Sequence, residues 1–265
     1  NMLRLEAHVL SADKEAIAAQ SRLATGTGAS AFRALVSADM QFPEITDGEG
    51  KPATVSEGNY LLNMTSPDRE LRKNSFRGLM GTYHKYRNTL AATLTGSARS
   101  AYFYASIHNY KDTLEAALAE DNIPTSLYDG LIATVHDNFA PLHEYIQLKK
   151  DVLAVDEFHY YDMYMPLSQA GDSFACSFPE ACARVEEALA PLGEEYVATL
   201  HKGLTEGWID VYENKGKRSG AYSWGVYGVH PFVLLNYQQR YNSISTLAHE
   251  MGHALHSFFS SQAQT

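Results

Sequence analysis

The sequence predicts a mainly α-helical protein that contains two short β regions. Apolar residues recur at helical spacing through most of the 265 residues. Two segments interrupt this pattern: residues 41–63, where Asp47-Gly48 separates two short runs, and residues 216–238, which are rich in Tyr, Trp, Val and Gly. We therefore expect a β-hairpin near residues 41–63 and strands in the second segment, with Pro231 to Tyr237 as a buried strand.

Helical segments occupy the remaining sequence, and capping residues, prolines and glycines mark their ends. Ser11 is expected to cap the first helix. Ser66 as cap, Pro67 at the first helical position and Asp68 in the first turn predict the start of a helical region that extends to about Tyr110. The other predicted helical segments are residues 31–39, residues 126–153 with a kink or early end at Pro141, residues 179–212 with a break near Pro191-Leu192-Gly193, and a last helix that begins near Ser243 or Ser245.

The composition is that of a globular protein and limits its partners. Hydrophobic residues make up 45% and charged residues 20% of the chain. No apolar run is long enough to cross a bilayer, and the first twenty residues lack the apolar stretch of a signal peptide. The net charge of −10 argues against a nucleic-acid partner. Cys176 and Cys182 are expected to be packed, reduced thiols rather than a disulfide or metal site, so we expect a cytoplasmic protein without a membrane partner.

A metal-binding pattern lies in the last predicted helix, where the sequence reads His249-Glu250-Met251-Gly252-His253. Histidines four residues apart share one helical face with Cβ atoms about 5–6 Å apart. Two imidazoles at that spacing can bind one Zn²⁺ at about 2.0–2.1 Å each. Glu250 is rotated by about 100° from His249, beside the metal, where its carboxylate can take a proton from a metal-bound water. Residue types and spacing therefore both indicate metal-assisted hydrolysis.

The alternative interpretation is a core helix whose histidines are satisfied by ordinary hydrogen bonds. The residues between and around the histidines are uncharged, as a buried helix requires. His256 shares the face of His249 and His253, but it lies about 10 Å along the axis from His249, too far to bind the same ion. We expect His256 to support the metal ligands or to pack in the core.

A third ligand must come from another element, and no upstream residue stands out. The acidic and histidine residues considered are expected to lie on solvated helices, in loops or between helices: Glu144, Glu157, Glu180, Glu213, His136, His143, His159 and His201.

The last helix resembles a known family. Residues 246–260, TLAHEMGHALHSFFS, are similar to the metal-binding helix of the oligoendopeptidase F group, within the thimet oligopeptidase and neurolysin class of zinc peptidases. Their signature, HExGHxxH, is matched from His249 to His256. Residues 42–76, 122–135, 158–167 and 216–238 are similar to family segments in the same order, so the resemblance extends from about His8 to the end.

The resemblance implies a helical zincin-type peptidase domain with a small β-sheet next to the metal-binding helix. It makes His249 and His253 zinc ligands and Glu250 the catalytic glutamate. It also places Ser219, Gly220, Ala221 and Tyr222 in a strand that lines the cleft, where the backbone of an oligopeptide could pair as an added strand. For Gly220, the alternatives are a close approach of substrate or a simple bulge.

The family's third zinc ligand, a glutamate, and its transition-state residues lie on later helices, and they have no counterpart here. We therefore interpret residues 1–265 as a fragment of one oligopeptidase domain that is incomplete at both ends. In this interpretation, residues 1–210 are mostly helical and residues 216–265 form a small β region followed by the HExxH helix. The remainder of its own chain would then be its partner.

The expected function is a zinc-dependent endopeptidase that hydrolyses oligopeptides. The alternative is a non-catalytic or incomplete peptidase fragment that acts as a peptide-binding or structural helical module. We expect the chain by itself to show poor activity, because two ligands and a base rarely hold a catalytic zinc. We also expect it to expose apolar surface where further helices would pack.

Overall fold

The mainly helical prediction is confirmed, and a small sheet accompanies the helices. The computed structural model describes residues 2–167, 174–214 and 216–264. Its α-helices there are α1 (Met2–Leu5), α2 (Ala12–Thr25), α3 (Thr27–Ala34), α4 (Tyr60–Met64), α5 (Arg69–Lys85), α6 (Arg87–Ile107), α7 (Thr113–Ala119), α8 (Thr125–Asp137), α9 (Phe139–Val152), α10 (Phe178–Leu189), α11 (Glu194–Thr205) and α12 (Tyr241–Ala263). Its strands are β1 (Ile45–Thr46), β2 (Pro52–Ala53), β3 (Ile209–Asp210), β4 (Tyr222–Trp224) and β5 (Phe232–Leu234).

The chain divides into two compact units, each formed by two separate stretches of sequence. The first unit comprises Asn1–Pro43 and Met80–Met163, and the second comprises Glu44–Leu79 and Tyr164–Thr265. The division falls inside α5, which begins in the second unit and ends in the first.

Close helix packing and partly buried hydroxyl groups hold the first unit together. A Cβ atom on Gly28 would lie 2.9 Å from the Thr93 carbonyl oxygen, so the glycine allows α3 to approach α6 closely. The Tyr104 hydroxyl on α6 lies 2.9 Å from the Ser21 hydroxyl and 2.8 Å from the Thr25 hydroxyl, both on α2. These contacts hold α2 and α3 against α6.

The helices α8 and α9, here called the helical arm, have an exposed apolar side. Their sequence agrees with the predicted helical segment at 126–153, with the break at Asn138 and with Pro141 in the first turn of α9. The large apolar residues that are exposed along the arm are Leu127, Tyr128, Leu131, Ile132, Val135, Phe139, Leu142, Tyr145, Leu148 and Val152. An exposed apolar surface was expected for this chain, and the arm carries one.

The second unit contains the predicted hairpin, which is shorter than residues 41–63. Strands β1 and β2 pair antiparallel, and the Asp47 carboxylate accepts the backbone N–H groups of Glu49 and Lys51 in the turn. Residues 60–64 form α4 instead of extending the hairpin. The Asn59 side chain accepts the Ser56 backbone N–H at 2.7 Å, which favours a turn over continued strand pairing.

The start of α5 differs from the predicted arrangement in which Ser66 is the cap. The Asp68 carboxylate accepts the backbone N–H groups of Glu70 at 2.9 Å and Leu71 at 3.2 Å, so Asp68 caps the helix. Its other oxygen accepts the Gly48 N–H at 2.6 Å, which ties the hairpin turn to α5. This bond to Gly48 is the main reason why the pKa of Asp68 lies below its usual value.

A three-stranded sheet and α12 form the core of the second unit. The strand order is β3-β5-β4, with β5 parallel to β3 and antiparallel to β4. The predicted buried strand from Pro231 to Tyr237 contains the shorter strand β5; Val233 and Leu235 are buried, whereas Phe232 is exposed. The helices α10 and α11 pack on α12, and they are separated by a turn at Ala190–Leu192, as predicted.

A glycine permits the closest of these packing contacts. A Cβ atom on Gly203 in α11 would lie 2.6 Å from the Met251 side chain and 2.8 Å from the Trp208 ring. Both neighbours are buried core residues, so a side chain at Gly203 would force the core apart.

Candidate metal centre and peptide cleft

The two motif histidines lie side by side on the exposed face of α12. The Nε2 atoms of His249 and His253 are 3.1 Å apart, and their ring planes are 83° apart. The opposite face of the helix is fully buried through Leu247, Met251 and Leu255. Because that apolar face fixes the rotation of α12, the two imidazoles are held toward solvent on the same side.

The geometry of the imidazole pair fits a shared cation. Two nitrogen ligands of one tetrahedral zinc, each at about 2.0–2.1 Å, lie about 3.3–3.4 Å apart. The observed 3.1 Å between the His249 and His253 Nε2 atoms is close to this value. At this distance one ring can also donate an N–H hydrogen bond to the other. The pair can therefore bind one metal ion from one side.

Glu250 lies at the edge between the exposed and buried faces of α12. It is only 8% exposed, whereas His249 and His253 are exposed. A carboxylate beside the imidazole pair and partly withdrawn from solvent is suited to accept a proton from a bound reactant. His256 is exposed rather than packed in the core, and its role in supporting the ligands stays a prediction.

No third ligand joins this pair in the part of the chain that the structure describes, where no group of three or more His, Cys, Asp or Glu side chains could hold a metal. Several of the upstream candidates have other partners. Glu157 pairs with His159, Glu180 bonds to Ser177 at the start of α10, Glu213 accepts a hydrogen bond from Ser56, His201 pairs with Glu186, and His136 and His143 both contact the Phe139 ring. Glu144 is exposed on the helical arm.

The segment predicted to line the cleft leads into an edge strand. Ser219 and Gly220 form a bend, Ala221 follows, and Tyr222 begins β4. Gly220 has a φ of +85°, a conformation that favours glycine, and a Cβ atom there would meet nothing within 4 Å. The glycine therefore supplies the backbone bend, and the space beside it is open.

Strand β4 lies against α12, the helix that carries the motif histidines. Within the described residues, β4 pairs with β5 on one side only, which leaves its other edge available for hydrogen bonds. A Cβ atom on Gly225 would lie 2.6 Å from the Ser257 side chain of α12, so this glycine allows the end of the strand to approach the helix.

A residue that sequence reasoning missed holds this lead-in segment in place. The Asn236 side-chain amide donates to the carbonyl oxygens of Arg218 at 2.9 Å and Gly220 at 2.8 Å. Asn236 follows β5, sixteen residues from Gly220 in sequence. No local pattern marks it, because Asn236 lies within the predicted buried strand from Pro231 to Tyr237, whereas β5 already ends at Leu234.

Comparison with known proteins decides the family. The model of peptidase family M3 matches residues 62–265, which is more than half of the chain. The chain belongs to peptidase family M3. Oligopeptidase PepF of Bacillus subtilis is 43% identical over 258 residues, which are 97% of this chain and 38% of that protein. Group B oligopeptidase PepB of Streptococcus agalactiae is 40% identical over 97% of this chain and 42% of its own length.

Solved structures agree with this assignment. The crystal structure of oligoendopeptidase-F from Enterococcus faecium is 35% identical with a TM-score of 0.62, over 78% of this chain and 39% of that one. A structure of PZ peptidase A with an inhibitor, at 18% identity and a TM-score of 0.74, shares the fold. The M3 chain described here spans about two fifths of the length of the curated relatives.

The two cysteines of this M3 chain pack as predicted. Cys176 is buried and Cys182 is half-buried, and neither forms a disulfide. Burial raises the pKa of the Cys182 thiol to about 11, so it is protonated and unreactive at neutral pH. Among the described helices, none has both the length and the apolar character needed to cross a bilayer.

Proposed function

We propose that this chain supplies part of the active site of a zinc-dependent endopeptidase that cleaves oligopeptides, with His249 and His253 as zinc ligands. The observation that carries the proposal is the convergence of their Nε2 atoms to 3.1 Å on the exposed face of α12. Membership in peptidase family M3, and relatives named oligopeptidase and oligoendopeptidase, support the reaction and the substrate class.

The zinc ion and the Glu250 carboxylate would have separate roles in the reaction. Zinc, when bound, polarises the peptide carbonyl and lowers the pKa of water to about 7. Glu250 accepts the proton of the attacking water and returns it to the leaving amine, a role suited to its largely buried position beside the two histidines. His249 and His253 would hold the ion through one imidazole nitrogen each.

The edge of β4 is the proposed platform for the substrate backbone. An extended peptide can add to an exposed sheet edge through main-chain hydrogen bonds, which accept many sequences. The segment from Ser219 to Tyr222 is held by the two hydrogen bonds that the Asn236 amide donates to the Arg218 and Gly220 carbonyl oxygens, here called the Asn236 clamp. The space beside Gly220 is open. We therefore propose that peptides lie along β4 with the scissile bond near His249 and His253.

An incomplete or non-catalytic module remains the second candidate function for this chain by itself. The favouring observation is that the described residues provide the pair of histidines without a third ligand. The chain also spans only about two fifths of the length of its curated relatives. Under this candidate, the chain binds peptide or completes a longer protein without turning over substrate. The free thiols Cys176 and Cys182 support a cytoplasmic location in either case.

The test uses an enzyme of the relatives' length that contains this chain. Glu250→Gln should retain stoichiometric zinc and lose about 10²–10⁴-fold in peptide cleavage. His249→Ala should lose zinc, measured by atomic absorption, while the control His201→Ala, which removes only a surface pair with Glu186, should retain zinc and activity. Full cleavage by Glu250→Gln would contradict the mechanism. Tight zinc and turnover by the 265-residue chain alone would contradict the module.

A further inference from the structure

A small cavity lies in the second unit, between the start of α12 and the segment that leads into β4. Its volume is about 240 Å³, and the residues that matter for its chemistry are Glu57, Gly58, Gly220, Asn236, Asn242 and Thr246. Ligand pockets for whole small molecules usually measure about 300–1,000 Å³. The cavity is therefore of a size for one amino-acid side chain rather than for a complete ligand.

The cavity adjoins the candidate metal centre. Asn242, Thr246, His249 and His253 follow one another at i, i+4, i+7 and i+11 and so share one face of α12. Thr246 in the cavity wall precedes His249 by one helical turn, about 4.5 Å along the axis. Gly220, which also lines the cavity, belongs to the segment that leads into β4, the proposed peptide platform. A peptide that lies along β4 toward the histidines would pass the mouth of this cavity.

Most side-chain donors in the cavity wall are already used within the protein. The Ser243 hydroxyl donates to the Gln238 carbonyl oxygen at 2.9 Å, and the Thr246 hydroxyl donates to the Asn242 carbonyl oxygen at 2.9 Å. The Gln238 amide donates to the Gly58 carbonyl oxygen. The Asn236 amide nitrogen is used in the same way, whereas the Asn236 Oδ1 atom is a buried acceptor without a hydrogen-bond partner among the described residues.

Glu57 gives the cavity its charge. It is the one charged side chain among the described residues that line the cavity. The Ser219 hydroxyl donates to its Oε2 atom at 3.1 Å, which joins the carboxylate to the first residue of the segment that leads into β4. A wall with the Asn236 acceptor and a carboxylate suits a ligand group with several N–H donors and a positive charge.

We propose that this cavity binds a lysine or arginine side chain of the peptide substrate, with Glu57 as its counter-ion. The inference rests on the proposed peptidase function and specifies one subsite of it. Glu57 acts as a specificity residue rather than a catalytic one, because it lines this cavity and neither His249 nor His253 does.

The experiment compares peptides that differ only in charge at one position. In an oligopeptide series, arginine is placed at each position in turn and replaced by citrulline, which keeps the shape but removes the charge. We expect arginine to raise kcat/KM about tenfold over citrulline at one position in the wild-type enzyme, chiefly through KM. In Glu57→Gln this ratio should fall below about twofold.

Two further variants make the test specific. Glu213→Gln is the matched control, because Glu213 accepts a hydrogen bond from neighbouring Ser56 but does not line the cavity, and it should keep the wild-type ratio. Glu57→Lys should reverse the preference, so that glutamate is favoured over glutamine at the same position. Equal ratios in the wild type and Glu57→Gln, or no charge preference at any position, would overturn the inference.

A binding measurement separates this inference from the proposed function. Fluorescence anisotropy with labelled arginine and citrulline peptides on the Glu250→Gln enzyme reports affinity without turnover. Tighter binding of the arginine peptide that disappears on adding Glu57→Gln supports the cavity even if cleavage is absent. Cleavage of all peptides without any charge preference in binding leaves the peptidase function intact and rejects the cavity.

Discussion

The helix α12, which carries the motif histidines, and the helical arm each have an apolar face, which is buried on α12 and exposed on the arm. On α12, Leu247, Met251 and Leu255 are completely buried. On the arm, Leu127 and Leu131 are more than half exposed. Apolar residues at i, i+3 and i+4 therefore specify a helix with one apolar face, but they do not specify what covers that face.

The difference follows from which elements reach each helix. The buried face of α12 contacts α10, α11, β4 and β5, all within the second unit. Burying a large apolar side chain contributes about 1.5–3 kcal/mol, so this face anchors the unit. Among the described residues of the first unit, the apolar side chains of the arm receive no such cover. We predict that this exposed apolar surface promotes association of the chain.

The largest expected effect is a matched pair of leucine truncations. Leu255→Ala should destabilise the chain by about 2–5 kcal/mol, because it leaves a cavity in a closed core. Leu131→Ala on the arm should change the stability by less than about 0.5 kcal/mol. Urea unfolding followed by fluorescence of the buried Trp208 measures both. Similar losses for the two variants would mean that the arm is covered in solution.

A pair of helical glycines tests the packing of the core at its tightest point. Gly203→Ala brings a methyl group against Met251 and Trp208 and should cost about 1–3 kcal/mol. Gly252→Ala meets nothing within 4 Å and should be neutral, or stabilising by up to about 1 kcal/mol through helix propensity. Thermal unfolding of the two variants gives the comparison, and equal melting temperatures would contradict the close approach of α11 to α12.

Asp68 supplies a polar anchor in the second unit and makes its stability depend on pH. Because the pKa of Asp68 is lowered in the folded state, its stabilising effect is present above the unfolded pKa of about 3.9. That effect is lost as the pH falls through the lower, folded pKa. Asp68→Ala should therefore cost about 1 kcal/mol at pH 7 and progressively less in acid.

The measurement for Asp68 is urea unfolding of the wild type and Asp68→Ala from pH 7 down to pH 2. Glu49→Ala, in the same exposed turn, is the control and should leave the stability within about 0.5 kcal/mol. A difference between the wild type and Asp68→Ala that grows in acid would contradict the assigned sign.

The smallest effect on stability, but a clear effect on association, is expected for polar substitutions on the arm. Leu131→Glu combined with Leu142→Glu should reduce self-association of the chain while changing its stability by no more than about 1 kcal/mol. Leu94→Glu on α6, where the leucine is also exposed, is the matched control off the arm. Sedimentation velocity compares their oligomeric states, and a monomeric wild type would show that the exposed arm does not drive association.

The sequence by itself determined the local features of this protein. The spacing of apolar residues predicted the helical segments, Asp47-Gly48 predicted the hairpin turn, and the break at Pro191 was placed correctly. His249, Glu250 and His253 were identified from the sequence because their spacing alone places them side by side on one helix, as the predicted metal site requires. The resemblance in ordered segments also indicated the family that the comparison with known proteins assigns.

Tertiary structure alone decided the features that join distant segments. Asp68 rather than Ser66 caps α5, because Asp68 also reaches Gly48, twenty residues earlier. Glu57 and Gly220 line one cavity although more than 160 residues separate them. The burial of the apolar face of α12 and the exposure of the apolar side of the arm were likewise decided by tertiary structure. Local periodicity fixes dihedral angles and faces over a few turns, whereas contacts between distant segments depend on how the whole chain closes its core.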